Sequence, residues 1–464
     1  MKLTEVFIKT EKRIYFLIFL TALVTRILVF VTSDKSYIYP DSYTYHVLAV
    51  NLAEGNGYTE SLSAPHVPNF TRDPAYPFFM SIVYRVYNTF HELTIIPYNN
   101  IKLNNSGRLL FVPGEMLWVR LTQMLLASLS CIFFYLILKN IFKPQYALLL
   151  ILLFAIYFPY TYNDQYILRE SFQSSVTILA NYFFISFLKK NRIIYIIYFG
   201  VLWGILNLTI QTSLIIGFFF PVILLISTRN FKKTLKATLI AVFSMLVIVS
   251  PYLYRAYKFY PDIRVTRSMG CSITLEKSNY YGTLIKLKNL DYISQQQFDS
   301  LANDLWSLSE YKTFEKSFNG EFNRLTNGLK TQYPINNSIE IKYNIKNWTS
   351  LASKTWFKNI YKNPKSSFLN SLRSLNLISL VPNFISIIFG LLAIVGFLIY
   401  FKNTYKILLI FFSTISIFYI IGDEARRSLP AHPYIFMFGI LSILTIYFNM
   451  KKSSMKNINE RLFI

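Results

Sequence analysis

The chain has 464 residues, 53% of them hydrophobic and 18% aromatic, and carries a formal net charge of +24. That apolar content excludes a soluble globular protein of this length, because several runs reach the roughly 20 apolar residues that cross a bilayer. In a membrane protein the Lys and Arg excess belongs to cytoplasmic loops, anionic headgroups or a phosphorylated lipid substrate, so no nucleic-acid partner is expected.

Lys2, Lys9, Lys12 and Arg13 precede the first span, Tyr15–Val31, which lacks a small-residue cleavage site and is expected to stay as an anchor. Just beyond it stand Pro40-Asp41-Ser42-Tyr43-Thr44-Tyr45. Tyr45, Leu48 and Leu52 fall at helical spacing, and Gly55 and Gly57 stop the helix. Arg72-Asp73-Pro74 then leads into Pro74–Phe90, which has the look of a span but is short, begins with two prolines and carries Arg85. If it crossed, the inside and outside loops that follow would invert. It is therefore read as a helix along the outer membrane face, as is Asp41–Leu52, within an outer loop of residues 32–115 whose polar tip lies near Tyr98–Arg108.

Nine further spans are expected: Met116–Leu138, Tyr146–Tyr162, Leu168–Leu188, Ile193–Ile210, Ser213–Ile226, Thr238–Tyr254, Leu380–Tyr400, Tyr405–Ile421 and Tyr434–Phe448. Every second connection is basic. Lys139 and Lys143, then Lys189, Lys190 and Arg192, then Arg229, Lys232, Lys233 and Lys236, then Lys402 and Lys406 alternate with less basic turns, and Lys451, Lys452 and Lys456 follow the last span. The positive-inside rule puts these, and both termini, in the cytoplasm. The polar segment from Arg255 to Asn376 is too long for an ordinary connection. Three parts result: a transmembrane module of residues 1–256, an extracytoplasmic subdomain of residues 257–377 with helix near Gln295–Phe314, and C-terminal helices over 378–464. Cys131 in a span and Cys271 in a loop make no expected disulfide, and no Cys/His cluster suggests structural zinc.

Asp41 follows Pro40 at a helix start, where the dipole favours an ionised carboxylate. That carboxylate is either a base, a metal ligand or a plain cap. Asn163, Asp164, Arg169 and Glu170 lie where the third span leaves the membrane and the fourth re-enters. Glu170 falls inside the fourth span and is expected to face the bundle, because ionisable groups there seek a cavity or partner. Arg169, about 100° away round the helix, is expected to snorkel, with an Arg169–Asp164 surface pair as the plain alternative. Arg255, Arg264, Arg267, Arg426 and Arg427 stand on the outer side, against the charge bias, and guanidinium groups match phosphate. His46, His66, His91 and His432 show no ligand spacing and are assigned structural or solvated roles. Arg26 and Arg120 either face the bundle interior or snorkel.

An Asp after the first span, a Tyr-rich helix ending in Gly55-x-Gly57-Tyr58, then Arg72-x-Pro74-x-Tyr76-Pro77, form an ordered set. Glu170, Pro251-Tyr252-x-x-Arg255 and Glu424-Ala425-Arg426-x-x-Leu429-Pro430-x-x-Pro433 continue it. Over roughly residues 10–270 and 378–448 the chain resembles the GT-C fold polyprenyl-phosphate-sugar glycosyltransferases, a group that includes protein O-mannosyltransferases and lipid A aminoarabinose transferases. The resemblance implies an all-α polytopic bundle of about ten helices, with two juxtamembrane helices in the first outer loop and a large outer loop before the last three spans. It also implies inverting transfer of a monosaccharide from a polyprenyl-phosphate carrier, such as undecaprenyl phosphate, to a lipid, glycan or protein acceptor outside a bacterial plasma membrane.

By that resemblance Asp41 is the base or acceptor-orienting acid and Glu170 the second acidic position. Arg72, Arg255 and Arg426 contact phosphate, with Asp73, Tyr43, Tyr45 and Arg427 completing the substrate site. No metal cofactor is expected, although two acidic residues leave a divalent ion open. The chain departs from the pattern at Thr209-Ile210-Gln211-Thr212, where relatives often carry Arg or Lys, and at Asp73. The alternatives are an oligosaccharide polymerase or ligase, and a lipid-linked sugar flippase or transporter. The latter often shows internal repeats or midplane ionisable groups, which are not evident here.

Overall fold

The computed structural model describes residues 2–33, 36, 38–70, 72–102, 109–210, 213–214, 216–259, 271–306, 320–335, 339 and 432–450. These are helical apart from their connections. Backbone pairing among them comprises two isolated antiparallel bridges, Ile38 with Leu109 and Thr59 with Pro68. The expected spans Leu380–Tyr400 and Tyr405–Ile421 lie outside the described residues, as do Arg426 and Arg427.

The order is α1 (Lys2–Thr32), α2 (Pro40–Glu54), α3 (Ala75–Asn88), α4 (Gly114–Leu138), α5 (Pro144–Ala155), α6 (Phe158–Thr161) and α7 (Arg169–Lys190). It continues with α8 (Ile193–Thr209), α9 (Ile216–Thr228), α10 (Phe231–Phe259), α11 (Cys271–Asn289), α12 (Gln295–Trp306), α13 (Glu321–Gln332) and α14 (His432–Met450). Among the described residues, Glu11–Thr32 of α1 and the whole of α4, α7 and α10 are long and apolar enough to cross a membrane. Helices α5 and α8, and parts of α9 and α14, are shorter apolar helices. The chain is an all-α integral membrane protein.

Helix α4 packs on α1, α3, α5 and α7, and α7 leads through α8 to α10. Helices α8 and α10 pack closely. A Cβ on Gly200 would lie 2.5 Å from the Ala241 carbonyl oxygen, and one on Gly204 would lie 2.8 Å from Ile248 Cβ. Small residues four apart let two backbones touch where apolar burial between helices gives no advantage over lipid.

Two expectations change. The third span, expected to be continuous over Tyr146–Tyr162, breaks. Helix α5 stops at Ala155, Tyr157 is extended (φ −67, ψ 98), and the chain restarts as α6 and a tight turn, Tyr162–Gln165. Pro159 is the reason: it has no N–H to bond the Ala155 carbonyl four residues back and its ring would collide with that carbonyl, so the helix stops there and Pro159 sits in the first turn of the next one. The break carries Asp164 inward, where it is fully buried. Helix α2 is not a half-submerged surface helix either. Ser42, Tyr43 and every residue from Tyr45 to Asn51 are buried, so it is enclosed on all sides. Helix α3 does keep an apolar stripe outward, Phe78, Ile82 and Val86, each at least half exposed and four residues apart, as contact with lipid requires.

His46 fastens these helices. Its Nε2 lies 2.7 Å from the Thr94 carbonyl and its Nδ1 2.9 Å from the Tyr84 hydroxyl. A carbonyl only accepts, so Nε2 carries the proton and Nδ1 accepts from Tyr84. Burial lowers its pKa to about 4, which keeps the ring neutral. Helices α11, α12 and α13 form a separate small core around Tyr280, Leu284, Leu287, Phe322 and Leu329. Cys271 opens α11 and so lies in a helix. Helix is present over Gln295–Trp306, as expected for that stretch.

Candidate active site

Asp41 sits in the first turn of α2, and the N-cap is Tyr39, so Asp41 is not a simple helix cap. Its Oδ1 faces Arg72 Nη2 at 3.3 Å, with the carboxylate 32% and the guanidinium 26% exposed. The same guanidinium lies over the ring of Tyr45, 5.7 Å from its centroid. Tyr45 is buried, packs edge-on against Tyr76 and lies in the field of Arg169, Arg72, Asp41 and Glu170. Burial pushes its hydroxyl pKa up, so it remains a donor.

A second pair lies beside the first. Arg169 Nη1 meets Asp73 Oδ2 at 3.0 Å and also donates to the Thr209 carbonyl at 3.1 Å. Burial pushes the Asp73 carboxyl up to about 7, against the opposing pull of Arg169 and Arg72. Arg169 therefore does not snorkel, nor does it pair with Asp164. It turns across the N-terminus of α7 toward the outer loop, because Asp73 and the carbonyl end of α8 offer it acceptors there. It also delivers a guanidinium to Thr209-Ile210, the turn that lacks its own Arg or Lys. Glu170, next in sequence, is buried at the same helix start.

Asp164 pairs instead with Arg26, Oδ2 to Nε at 2.7 Å, both side chains at most 1% exposed. Ser171 donates to its other oxygen. Gln123 Nε2 donates to the carbonyls of Asp164 (3.1 Å) and Tyr166 (2.9 Å), and Ser42 Oγ to that of Ile167 (2.7 Å). Tyr76 donates to Gln123 Oε1. The turn after the broken span is thus tied to α4 and to the residue after Asp41.

Arg255 occupies an unexpected place for a phosphate contact. Its Nη1 and Nη2 donate to the carbonyls of Asn69 (3.1 Å) and Tyr58 (3.0 Å), and its plane lies 4.3 Å over Phe70. Tyr58 in turn donates to the Arg72 carbonyl at 3.0 Å. Arg255 therefore grips the loop that presents Arg72. Gly55 and Gly57, at φ +89 and +88, make the turn into that loop, a geometry with little strain only for glycine. Tyr43 points away from the two ion pairs, donating to the Ile96 carbonyl at 2.8 Å and packing on Tyr98. The structure thus groups Asp41, Tyr45, Arg72, Asp73 and Glu170 with Arg169, which the sequence reading did not choose as a ligand. Among the described residues, no three His, Cys, Asp or Glu side chains gather as a metal site.

Comparison with known proteins bears on the fold. The dolichyl-phosphate-mannose-protein mannosyltransferase family matches residues 108–254. No curated protein sequence matches the chain. The fold is similar to the archaeal oligosaccharyltransferase AglB from Archaeoglobus fulgidus in complex with an inhibitory peptide and a dolichol-phosphate. That similarity has a TM-score of 0.53 at 10% identity, covering 94% of this chain and 50% of that one. The A. fulgidus oligosaccharyltransferase in the apo form gives 0.52 at 12% identity, covering 94% and 50%. This chain spans about half the length of those structures. Its fold is the GT-C fold of membrane glycosyltransferases.

Proposed function

We propose that the protein transfers a monosaccharide from a polyprenyl-phosphate carrier to an acceptor hydroxyl, with inversion, on the face opposite its basic loops. The observation that carries this reading is the partly exposed Asp41–Arg72 pair beside Asp73–Arg169 and Glu170. A base and two phosphate-matching cations stand together at the end of a membrane bundle. Asp41 takes the acceptor proton as the acceptor oxygen bonds to the anomeric carbon. The bond from that carbon to the phosphate oxygen breaks, and the lipid phosphate leaves with the electron pair. Arg72 and Arg169 stabilise the charge growing on that phosphate. Glu170 is the second acid, Tyr45 donates to donor or acceptor, and Arg255 keeps the Arg72 loop in place. Arg426 and Arg427 are proposed as further phosphate contacts on their sequence position alone.

The dolichol-phosphate held by the AglB complex supports a lipid-phosphate donor. The alternation of basic connections supports an outward-facing site in a plasma membrane with both ends of the chain inside. In this reading the reaction runs without a metal, since the arginines supply positive charge. A divalent ion held by Asp41 and Glu170 is the alternative, and a chelator separates the two.

The test is a transfer assay in liposomes with radiolabelled polyprenyl-phosphate sugars and a membrane extract as acceptor pool. Label in a new product with wild type but not with Asp41→Asn supports the reading. Lipid-sugar crossing the bilayer without a new linkage, equally in both proteins, overturns it in favour of a flippase.

A further inference from the structure

At the end of α7 away from Asp41 lies a notch of about 390 Å³. Lys232, Lys233 and Lys236 of α10 line it, together with Asn191 and Asn230. Its floor is apolar, formed by Phe187, Ile196, Ala237 and Ile240, with Ile193 at one side. Helix α7 has 22 residues, so roughly 30 Å at 1.5 Å per residue separates this notch from Arg169 and Glu170. The notch therefore plays no part in the reaction proposed above.

Its charge is one-sided. Between Glu170 and Asp262 the sequence holds no acidic residue, while Lys189, Lys190, Arg192, Arg229, Lys232, Lys233 and Lys236 cluster at the α7–α8 and α9–α10 turns. Among the described residues, no carboxylate lines the notch. Lys233 Nζ lies over the Phe187 ring, 5.9 Å from its centroid, so one ammonium leans inward over the apolar floor. At the outer end of α7, Arg169 and Arg72 pair with Asp73 and Asp41. Here three ammonium groups line one notch with no carboxylate partner among the described residues.

An apolar surface continues from the notch. Leu235, Leu239 and Phe243, four residues apart on α10, are all exposed, and Ile194 and Ile197 are exposed on α8. On an integral membrane helix such a stripe faces acyl chains. A ligand with an anionic head and a long apolar tail fits both features at once. We infer that the notch is a binding site for an anionic phospholipid, its phosphate held by Lys232, Lys233 and Lys236 and its acyl chains along α10. Basic pockets between helices at the headgroup level attract such lipids electrostatically, and the apolar floor accepts the first methylenes of the tail.

The experiment is native mass spectrometry of the full-length protein released from vesicles of equimolar phosphatidylglycerol and phosphatidylcholine. Retention of phosphatidylglycerol in excess over phosphatidylcholine is expected. The excess should fall about fivefold for each lysine changed in Lys232→Gln, Lys233→Gln and Lys236→Gln. The triple Lys→Arg variant should keep it, and a thermal melt of each variant separates lost binding from lost folding. Equal retention of the two lipids overturns the inference, as does a triple Gln variant that melts like wild type and keeps the excess. Displacement of the phosphatidylglycerol by inorganic phosphate also overturns it, since the site would then select phosphate and not lipid. None of these outcomes depends on glycosyl transfer, so this inference and the proposed reaction fail separately.

Discussion

Arg26–Asp164 and Arg72–Asp41 are both guanidinium–carboxylate pairs that join distant parts of the chain, and their surroundings set them apart. The first is closed at 2.7 Å and essentially without solvent. The second is longer, 3.3 Å, with about a quarter to a third of each side chain exposed. A buried pair cannot release one partner without stranding a charge, whereas a pair in contact with solvent costs less to open. The first therefore holds the bundle together, and the second is available to a substrate. A phosphate entering beside Arg72 replaces one anion with another, at small cost.

Substituting each pair tests that contrast. Asp41→Asn should lower transfer by about 10²–10⁴-fold, the range for loss of a positioned base. It should hardly move thermal unfolding, since exposed pairs are worth about 1 kcal/mol or less. An unfolding shift as large as the Asp164 variant's would erase the distinction. Asp164→Asn strands Arg26 and should cost about 3–5 kcal/mol of stability, read as a lower melting temperature in detergent. Replacing both Arg26 and Asp164 with leucine should restore most of the loss. Arg255→Lys keeps the charge but loses the fork on the Asn69 and Tyr58 carbonyls. Charged hydrogen bonds are worth about 1.5–3 kcal/mol, so donor KM should rise roughly tenfold as the Arg72 loop loosens, with kcat less affected.

Asp73 gives the smallest and most diagnostic effect. Its carboxyl loses a proton near pH 7. Below that pH the neutral group leaves the Arg169 charge to phosphate. Above it, the charged pair competes with the donor. Donor KM should therefore rise as pH increases through 7, and Asp73→Asn should hold KM low and flat. Stability follows the same sign. The folded pKa lies above the ordinary 3.8, so this residue's contribution falls as pH climbs from 3.8 to about 7. A wild-type KM that is unchanged across this window would mean Arg169 does not meet the donor.

Much of the outer loop was legible because its signals are local. Pro40 starts α2, Gly55 stops it, and two prolines followed by a short apolar run define α3. The break in the third span had a signal that a continuous reading passes over: after Ile156 the apolar run gives way to Tyr157, Pro159, Tyr160, Thr161 and Tyr162. It depends on Pro159 and on Gln123 and Ser42 reaching across to satisfy freed carbonyls, contacts 41 to 125 residues apart in sequence. The chemistry-bearing residues were readable singly but not as partners. Arg169 lies 96 residues from Asp73 and Arg255 lies 186 from Asn69. A motif marks such residues without saying whether they face a substrate or a carbonyl of their own chain.

The buried Arg26–Asp164 pair also has a meaning in time. The two residues are 138 positions apart, and ribosomes add about 5–20 residues per second. The first helix therefore enters the bilayer carrying an arginine whose counter-ion will not exist for roughly ten seconds. Until then its headgroup-side turn is its only refuge, and α1 can hold only a provisional depth. Final seating must wait for the turn after α6, so α1 is made well before it is fixed.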